Sequence, residues 1–171
     1  MGATALSRWW QHFWLDTDDV PKLLGAGTLA RVEAQVAASE KLHSGEIRVC
    51  VEASLPMELL RRGLRSRERA IELFSSLRVW DTEANNGVLI YVLLADHAIE
   101  VLADRGLSAR VPQAQWAALV ATMRDEFRQG AFEAGLTQAV TTVGTLLQEH
   151  FPVVDEAAAN PNELPNAPWV L

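Results

Sequence analysis

Carboxylates and side-chain amides carry most of the chemistry this chain has to offer, and they concentrate in one stretch. Residues 80–106 read WDTEANNGVLIYVLLADHAIEVLADRG. Asp81, Asn85 and Asn86 precede an apolar run, and Asp96, Asp104 and Arg105 follow it. Oxygen donors of this kind suit hard cations such as Ca²⁺ or Mg²⁺. A carboxylate held beside them could also move a proton. Whether they meet depends on the elements around them.

Val88 to Leu94 is a continuous apolar run rich in β-formers, as expected of a strand buried on both faces. Asp96-His97 reads as a two-residue turn, and AIEVLA returns as the second arm of a hairpin. In that register Ala95 pairs with Ala98, Leu89 faces Asp104 and Gly87 faces Gly106. Asp104 and Arg105 then arrive beside Asn85-Asn86. GEIRVCVEA (45–53) alternates, with Ile47, Val49 and Val51 on one face and Arg48, Cys50 and Glu52 on a wetter one. A helix from about Ser66 joins this strand to the next, so the two should run parallel through a right-handed crossover. That places Glu46 at the same sheet edge, with Asp81 and Glu83 in the loop feeding it. Plainer readings stand beside this one. Asn-Gly is a common turn, Asp81 suits a helix-terminal cap, and Asp104 could pair with Arg105 or Arg110. Asp96-His97 falls at the opposite end and reads as a solvated turn.

The remaining elements frame this sheet. Gly25 and Gly27 precede a helix that Thr28 can cap, with Leu29, Val32 and Val36 on one side. Pro112 opens a helix lined by Trp116, Leu119, Val120, Met123 and Phe127, and Gly130 closes it. A last helix presents Phe132, Leu136, Val140, Val143 and Leu147, with Gly135 and Gly144 suited to close packing against the sheet. The tail NPNELPNAPWVL should be extended, either disordered or a strap docking Trp169 and Leu171. RWWQHFWL (8–15) reads as an aromatic arm packed on the domain. As an interfacial membrane helix it lacks the several Lys or Arg such helices carry. The order gives an α/β sandwich on a small mixed sheet with helices on both faces.

The 171 residues, 49% hydrophobic, suit one domain with a real core. A net charge of −7 argues against a dedicated nucleic-acid binder. RRGLRSRER (61–69) is a local basic exception, read as a solvated loop and helix start. Cys50 is single and falls in a strand, so a buried inert thiol is expected rather than a disulfide. There is no signal-peptide core and no apolar run near the ~20 residues a spanning helix needs, so the expectation is a cytoplasmic protein without a transmembrane segment. FWLDTDDV resembles a phosphatase nucleophile loop but lacks its Gly-Thr and a preceding βα layer, and Pro21 falls where a calcium loop needs Gly. The four histidines show no metal spacing, and no hydrolytic triad signature occurs.

Four pieces in order resemble the TPM-domain family: HSGEIRVCVEA (43–53), NNGVLIYVLLADHAIEVLADRGL (85–107), MRDEFRQGAFEAGL (123–136) and the closing helix to EHFP. The resemblance covers about residues 28–152, leaving a Trp-rich arm (1–27) and a Pro/Asn-rich tail (153–171). It is similar to a short, soluble bacterial branch of that family. It implies an αβα sandwich with a Rossmann-like look. It also implies an acidic site for a divalent cation and, for some members, acid phosphatase activity. Glu46, Asn85, Asn86 and Asp104 match the family's positions, and Asp81 and Asp96 fall near acidic ones. Many members have Gly-x-Gly-Leu where this chain has Asp104-Arg105-Gly106-Leu107. The arginine could hold a phosphate oxygen, or neutralise Asp104 and block a metal.

Two functions follow as expectations. The first is a non-catalytic interaction or assembly module for a protein or membrane-associated partner, with or without a bound structural divalent cation, the Trp-rich arm and the tail supplying apolar contacts. The other is a metal-assisted, acid-phosphatase-like hydrolase. In it Asp81, Asn85, Asn86 and Asp104 hold Ca²⁺ or Mg²⁺, Glu46 or Asp104 manages the proton, and Arg105 meets the phosphate.

Overall fold

The computed structural model describes residues 5–154 and 160–171. The chain opens with α1 (Ala5–Trp14), a 3₁₀ turn (Thr17–Asp19), α2 (Val20–Leu24) and α3 (Thr28–Ser39). Next come β1 (Ile47–Glu52), α4 (Met57–Arg61), α5 (Ser66–Ser76), β2 (Val88–Leu93) and β3 (Ala98–Ala103). It closes with α6 (Arg105–Ser108), α7 (Gln113–Arg128), α8 (Phe132–His150) and β4 (Trp169–Val170). The sheet order is β3-β2-β1-β4, with β1 parallel to both β2 and β4, and β2 antiparallel to β3.

This is an α/β sandwich with two cores, one on each sheet face. Ile47, Val49, Val51, Ile90 and Val92 face α2, α3, α7 and α8. Cys50, Leu89, Tyr91 and Leu93 face α4, α5 and Leu164 of the tail. Strand alternation sends successive side chains to opposite sides, so a strand covered on both must be apolar throughout or satisfied in place. β2 is apolar throughout. β1 is not, and all six of its residues are nevertheless buried. The expected wetter face of β1 is therefore dry, and its polar groups are met by protein. Glu52 receives three bonds from the Arg69 guanidinium, at 2.8–3.2 Å, and one from the Tyr91 hydroxyl at 2.6 Å. Arg48 donates to the carbonyls of Pro165 and Ala167 and stacks over Trp169.

The tail is thus a strap. Leu164 is buried, and Leu171 closes the parallel ladder from both sides, its N–H on Val51 O and its carbonyl on Ala53 N–H. Trp169 itself stays half exposed, so the strap is held by its backbone and by Leu164.

Several local expectations change. The hairpin loop spans four residues, closed by His97 N–H to Leu94 O, and the strand pairs are Leu93↔Ala98 and Leu89↔Leu102. A two-residue loop at Asp96-His97 would favour positive φ at both positions, whereas the longer loop needs it only at His97. The slip is two residues, so no side chain changes face. Thr28 does not cap α3. Gly27 holds that position, and the Thr28 hydroxyl donates back to Leu24 O. Gly144 and Gly135 pack against neighbouring helices rather than the sheet. A Cβ at Gly144 would strike Ser39 of α3, and one at Gly135 would strike Phe127 of α7. Asp96 is not a free turn residue. It accepts from Arg8 and from His12 Nε2, and fastens α1 to the body. Burial alone would raise this carboxyl, but the bonds from His12 and Arg8 outweigh it and hold the pKa down at about 2.

Leu164→Ala should lower unfolding stability by about 2–4 kcal/mol in a denaturant titration. A change under ~0.5 kcal/mol would show that the tail is not part of the core.

Candidate functional site

The edge where β2 begins is built from three segments. After α5 the chain turns through 78–87, where Arg78 and Asn85 have left-handed φ. Asn tolerates that region better than most residues because its short side chain can bond locally. Asn86 is buried, with its N–H on Thr82 Oγ1 and its Nδ2 near Ser44 Oγ. Gly87 lies so close to the Val79 carbonyl that a Cβ there would collide with it. β3 returns to the same point. Asp104 N–H donates to Gly87 O, and Gly106 N–H donates to Asn85 O at 2.9 Å. Val88 N–H bonds Glu46 O, which brings the start of β1 to this edge.

The backbone therefore assembles Glu46, Asn85, Asn86, Asp104 and Arg105 as expected, although through a different hairpin register. Their side chains are engaged in specific ways. Asp104 caps α6, its Oδ1 accepting from Arg105 N–H at 2.7 Å, while Oδ2 is buried without a partner among the described residues. Asn86 Oδ1 is likewise buried and unpartnered. Arg105 Nε donates to Asn85 Oδ1 at 3.1 Å. Glu46 is fully buried and accepts the N–H groups of Glu163 and Leu164 from the tail. Asp81 is exposed, with only a backbone turn bond to Arg78.

Ca²⁺ asks for six to eight oxygens and Mg²⁺ for an octahedron. Asn86 Oδ1 and Asp104 Oδ2 are the oxygens of this edge that lack a partner among the described residues, and both are buried. Asn85 Oδ1 is occupied by the Arg105 guanidinium, which sets a positive charge against one of the expected ligands. Among the described residues, no three His, Cys, Asp or Glu side chains gather as a metal site. In this arrangement the donor set does not fit a tightly held divalent cation.

A second polar cluster, absent from the sequence reading, lies behind Glu46. Glu40 continues the buried Val32–Val36 spacing by one more turn of four residues, which is the signal that could have placed it inside. Its Oε1 accepts Ile47 N–H, and its Oε2 is buried and unpartnered among the described residues. A cavity of about 420 Å³ lies here between Glu40, Lys41, Asn160, Asn162 and Asn166. Asn160 Nδ2 donates to Gly45 O. Burial pushes the Glu40 carboxyl up to about 7, with the neighbouring Glu46 charge adding to the effect, and burial raises Glu46 as well. His43 is buried beside them. Its Nδ1–H donates to Gly45 O and its Nε2 accepts from Ser39, and burial takes its pKa down to about 4.

The family model for the TPM domain matches residues 17–146 of this chain. The protein belongs to the TPM-domain family. Its fold is similar to the NMR structure of the BA42 protein from the psychrophilic bacterium Bizionia argentinensis, with a TM-score of 0.74 and 28% identity. The likeness covers 89% of this chain and 98% of that one. No curated protein sequence matches the chain. The matched span begins at Thr17, inside the segment read from sequence as an N-terminal arm. Both polar clusters of this TPM protein involve β1: Glu46 at its start ties the tail, and Glu40 receives the Ile47 N–H.

Glu40 titrates higher in the folded protein than the 4.5 of a free carboxyl. Its contribution is therefore fully present below pH 4.5 and is lost as pH rises through about 7. Glu40→Gln keeps the acceptor for Ile47 N–H and removes the titration. Relative to wild type it should gain about 2–3 kcal/mol between pH 4.5 and 8. Chemical denaturation across that range checks this, and a pH-independent difference between the two proteins refutes it.

Proposed function

We propose that this TPM-domain protein is a non-catalytic interaction module whose contact surface is the outward face of α1. The carrying observation is the direction in which that helix faces. Two of its polar residues, Arg8 and His12, turn inward. Arg8 bonds Asp96 and Leu64 O, while His12 is buried between Asp96 and Leu55 N–H. Its aromatic residues turn outward, with Trp10 59%, Phe13 66% and Trp14 69% exposed. A helix rotated this way leaves in water the surface that a helix ordinarily buries, which marks an interaction face.

The asparagine edge supports the same reading. Its carboxylates are in structural use: Glu46 fastens the tail and Asp104 caps α6. A hydrolase assisted by Ca²⁺ or Mg²⁺ is the competing reading, favoured by the buried, unpartnered oxygens of Asn86 and Asp104. It requires Arg105 to leave Asn85 before a cation can use that amide.

The test is hydrolysis of an aryl phosphate from pH 4 to 8 with Ca²⁺, Mg²⁺ or Mn²⁺, beside a melting titration with the same ions. The expected result is no turnover above buffer and no stabilisation, where a cation at 100 times its Kd would add about 2.7 kcal/mol. Metal-dependent turnover that disappears in Asp104→Ala would overturn the non-catalytic reading. A cation response that appears only in Arg105→Ala would identify the arginine as the group that blocks the site.

A further inference from the structure

The outward face of α1 has its own architecture. Trp10 and Trp14 stack with ring centroids 6.3 Å apart, and Phe13 meets Trp14 edge-on at 5.6 Å. Trp9, Trp10 and Phe13 join Met57 of α4 around a groove of about 270 Å³. The indole N–H groups of Trp9, Trp10 and Trp14 find no acceptor among the described residues, whereas that of Trp80 does. Trp suits a boundary where one end of the ring is apolar and the other wet.

The charge beside this face comes from another part of the chain. The Arg8–Leu64 bond and the shared Met57 groove bring the α4–α5 connection against α1. Arg61, Arg62 and Arg65 lie there, all exposed, and none forms an ion pair among the described residues. Arg67 and Arg69 are by contrast paired, with Glu100 and with Glu52 and Glu72. Glu58 on α4 and Glu68, whose carboxylate accepts the Arg65 N–H at 2.6 Å, offset two of the three. Asp16, Asp18 and Asp19 follow the opposite end of α1, where Asp19 is matched by Lys22 at 2.7 Å. The N-terminal half of the aromatic face is therefore bordered by a connection whose arginines outnumber its carboxylates, in a chain of net charge −7.

Resting on the reading of α1 as the contact surface, we infer that its partner is an anionic lipid bilayer. The helix lies in the interface plane, with Trp10, Phe13 and Trp14 at headgroup depth and Arg61, Arg62 and Arg65 on lipid phosphates. Ten residues give a helix of about 15 Å, half the thickness of the hydrocarbon core, so α1 lies on a membrane and does not cross it. Interfacial helices pair an aromatic face with basic residues that meet anionic headgroups. Here the helix supplies the first and the folded domain supplies the second. Asp96 and Leu55 fix the rotation of α1 before any contact, so the aromatic face is presented in advance.

The experiment is flotation of the full chain with phosphatidylcholine vesicles, with and without phosphatidylglycerol. It is run on wild type, Trp10→Ala/Phe13→Ala, and Arg61→Glu/Arg62→Glu/Arg65→Glu. All the altered side chains are exposed, so thermal melts should match wild type and confirm folding. Wild type should bind the anionic vesicles at least about tenfold more tightly than the neutral ones, and added salt should weaken binding. Each variant should lose at least about tenfold in binding to the anionic vesicles. No binding to anionic vesicles, or equal binding by wild type and both variants, overturns the inference. So does a concentration-dependent dimer in sedimentation velocity that the aromatic variant abolishes, if vesicles are not bound. That last outcome would leave α1 as a contact surface and replace lipid with a second copy. Failure of the non-catalytic reading is detected separately, by hydrolysis.

Discussion

β1 is covered on both faces while carrying charge, and the rest of the molecule answers that constraint. An ionised side chain out of water costs several kcal/mol unless it is paired and hydrogen-bonded. Glu46 immediately precedes this strand, Arg48 and Glu52 sit at its second position and end, and all three are buried. Each has its own solution. Glu52 takes the guanidinium of Arg69 on α5 and the hydroxyl of Tyr91 on β2. Arg48 takes two carbonyls of the tail, and Glu46 takes two N–H groups from the same tail. The tail is therefore the partner that allows β1 to be dry, and β4 follows from its being pinned there.

The same economy governs the asparagine edge. A close passage of Gly87 past Val79 and of Gly106 past Asn85 leaves no room for a side chain at either glycine. Those contacts bring Asp104 and Arg105 onto Asn85 whatever the exact length of the hairpin loop. Once there, Arg105 and Asn85 satisfy each other. An edge that looks like a cation site by residue type becomes a place where a cation must compete with an arginine already bonded to one of its ligands.

Much of the fold was readable in the residues. The apolar run Val88–Leu94, the alternation through 47–52 and the stripes of α7 and α8 follow directly from periodicities of two and 3.6. They gave the element order, the parallel pair and the hairpin that unites Asp104 with the asparagines. The hairpin register was not readable, because both loop lengths keep the same faces and differ only in which residues must take positive φ. Asp96 was misread as a solvated turn residue because its partners, Arg8 and His12, lie 88 and 84 positions away. Glu40 was legible in its four-residue spacing from Val36. Its depressed acidity was not, since that depends on how little water remains around it.

Sequence alone determined that this chain forms a mixed sheet between helices and that oxygen-bearing side chains converge at one end of it. It also determined that three tryptophans and a phenylalanine crowd the first short helix. Only the tertiary structure decided which way that helix faces. A helix with polar residues on one side ordinarily turns them to water, but here Asp96 and the Leu55 N–H offer Arg8 and His12 partners inside. The aromatic residues are left outside, beside arginines that the sequence places some fifty positions away. Rotation of one helix about its axis, set by two inward hydrogen-bonding side chains, turns an apparent packing arm into an exposed surface.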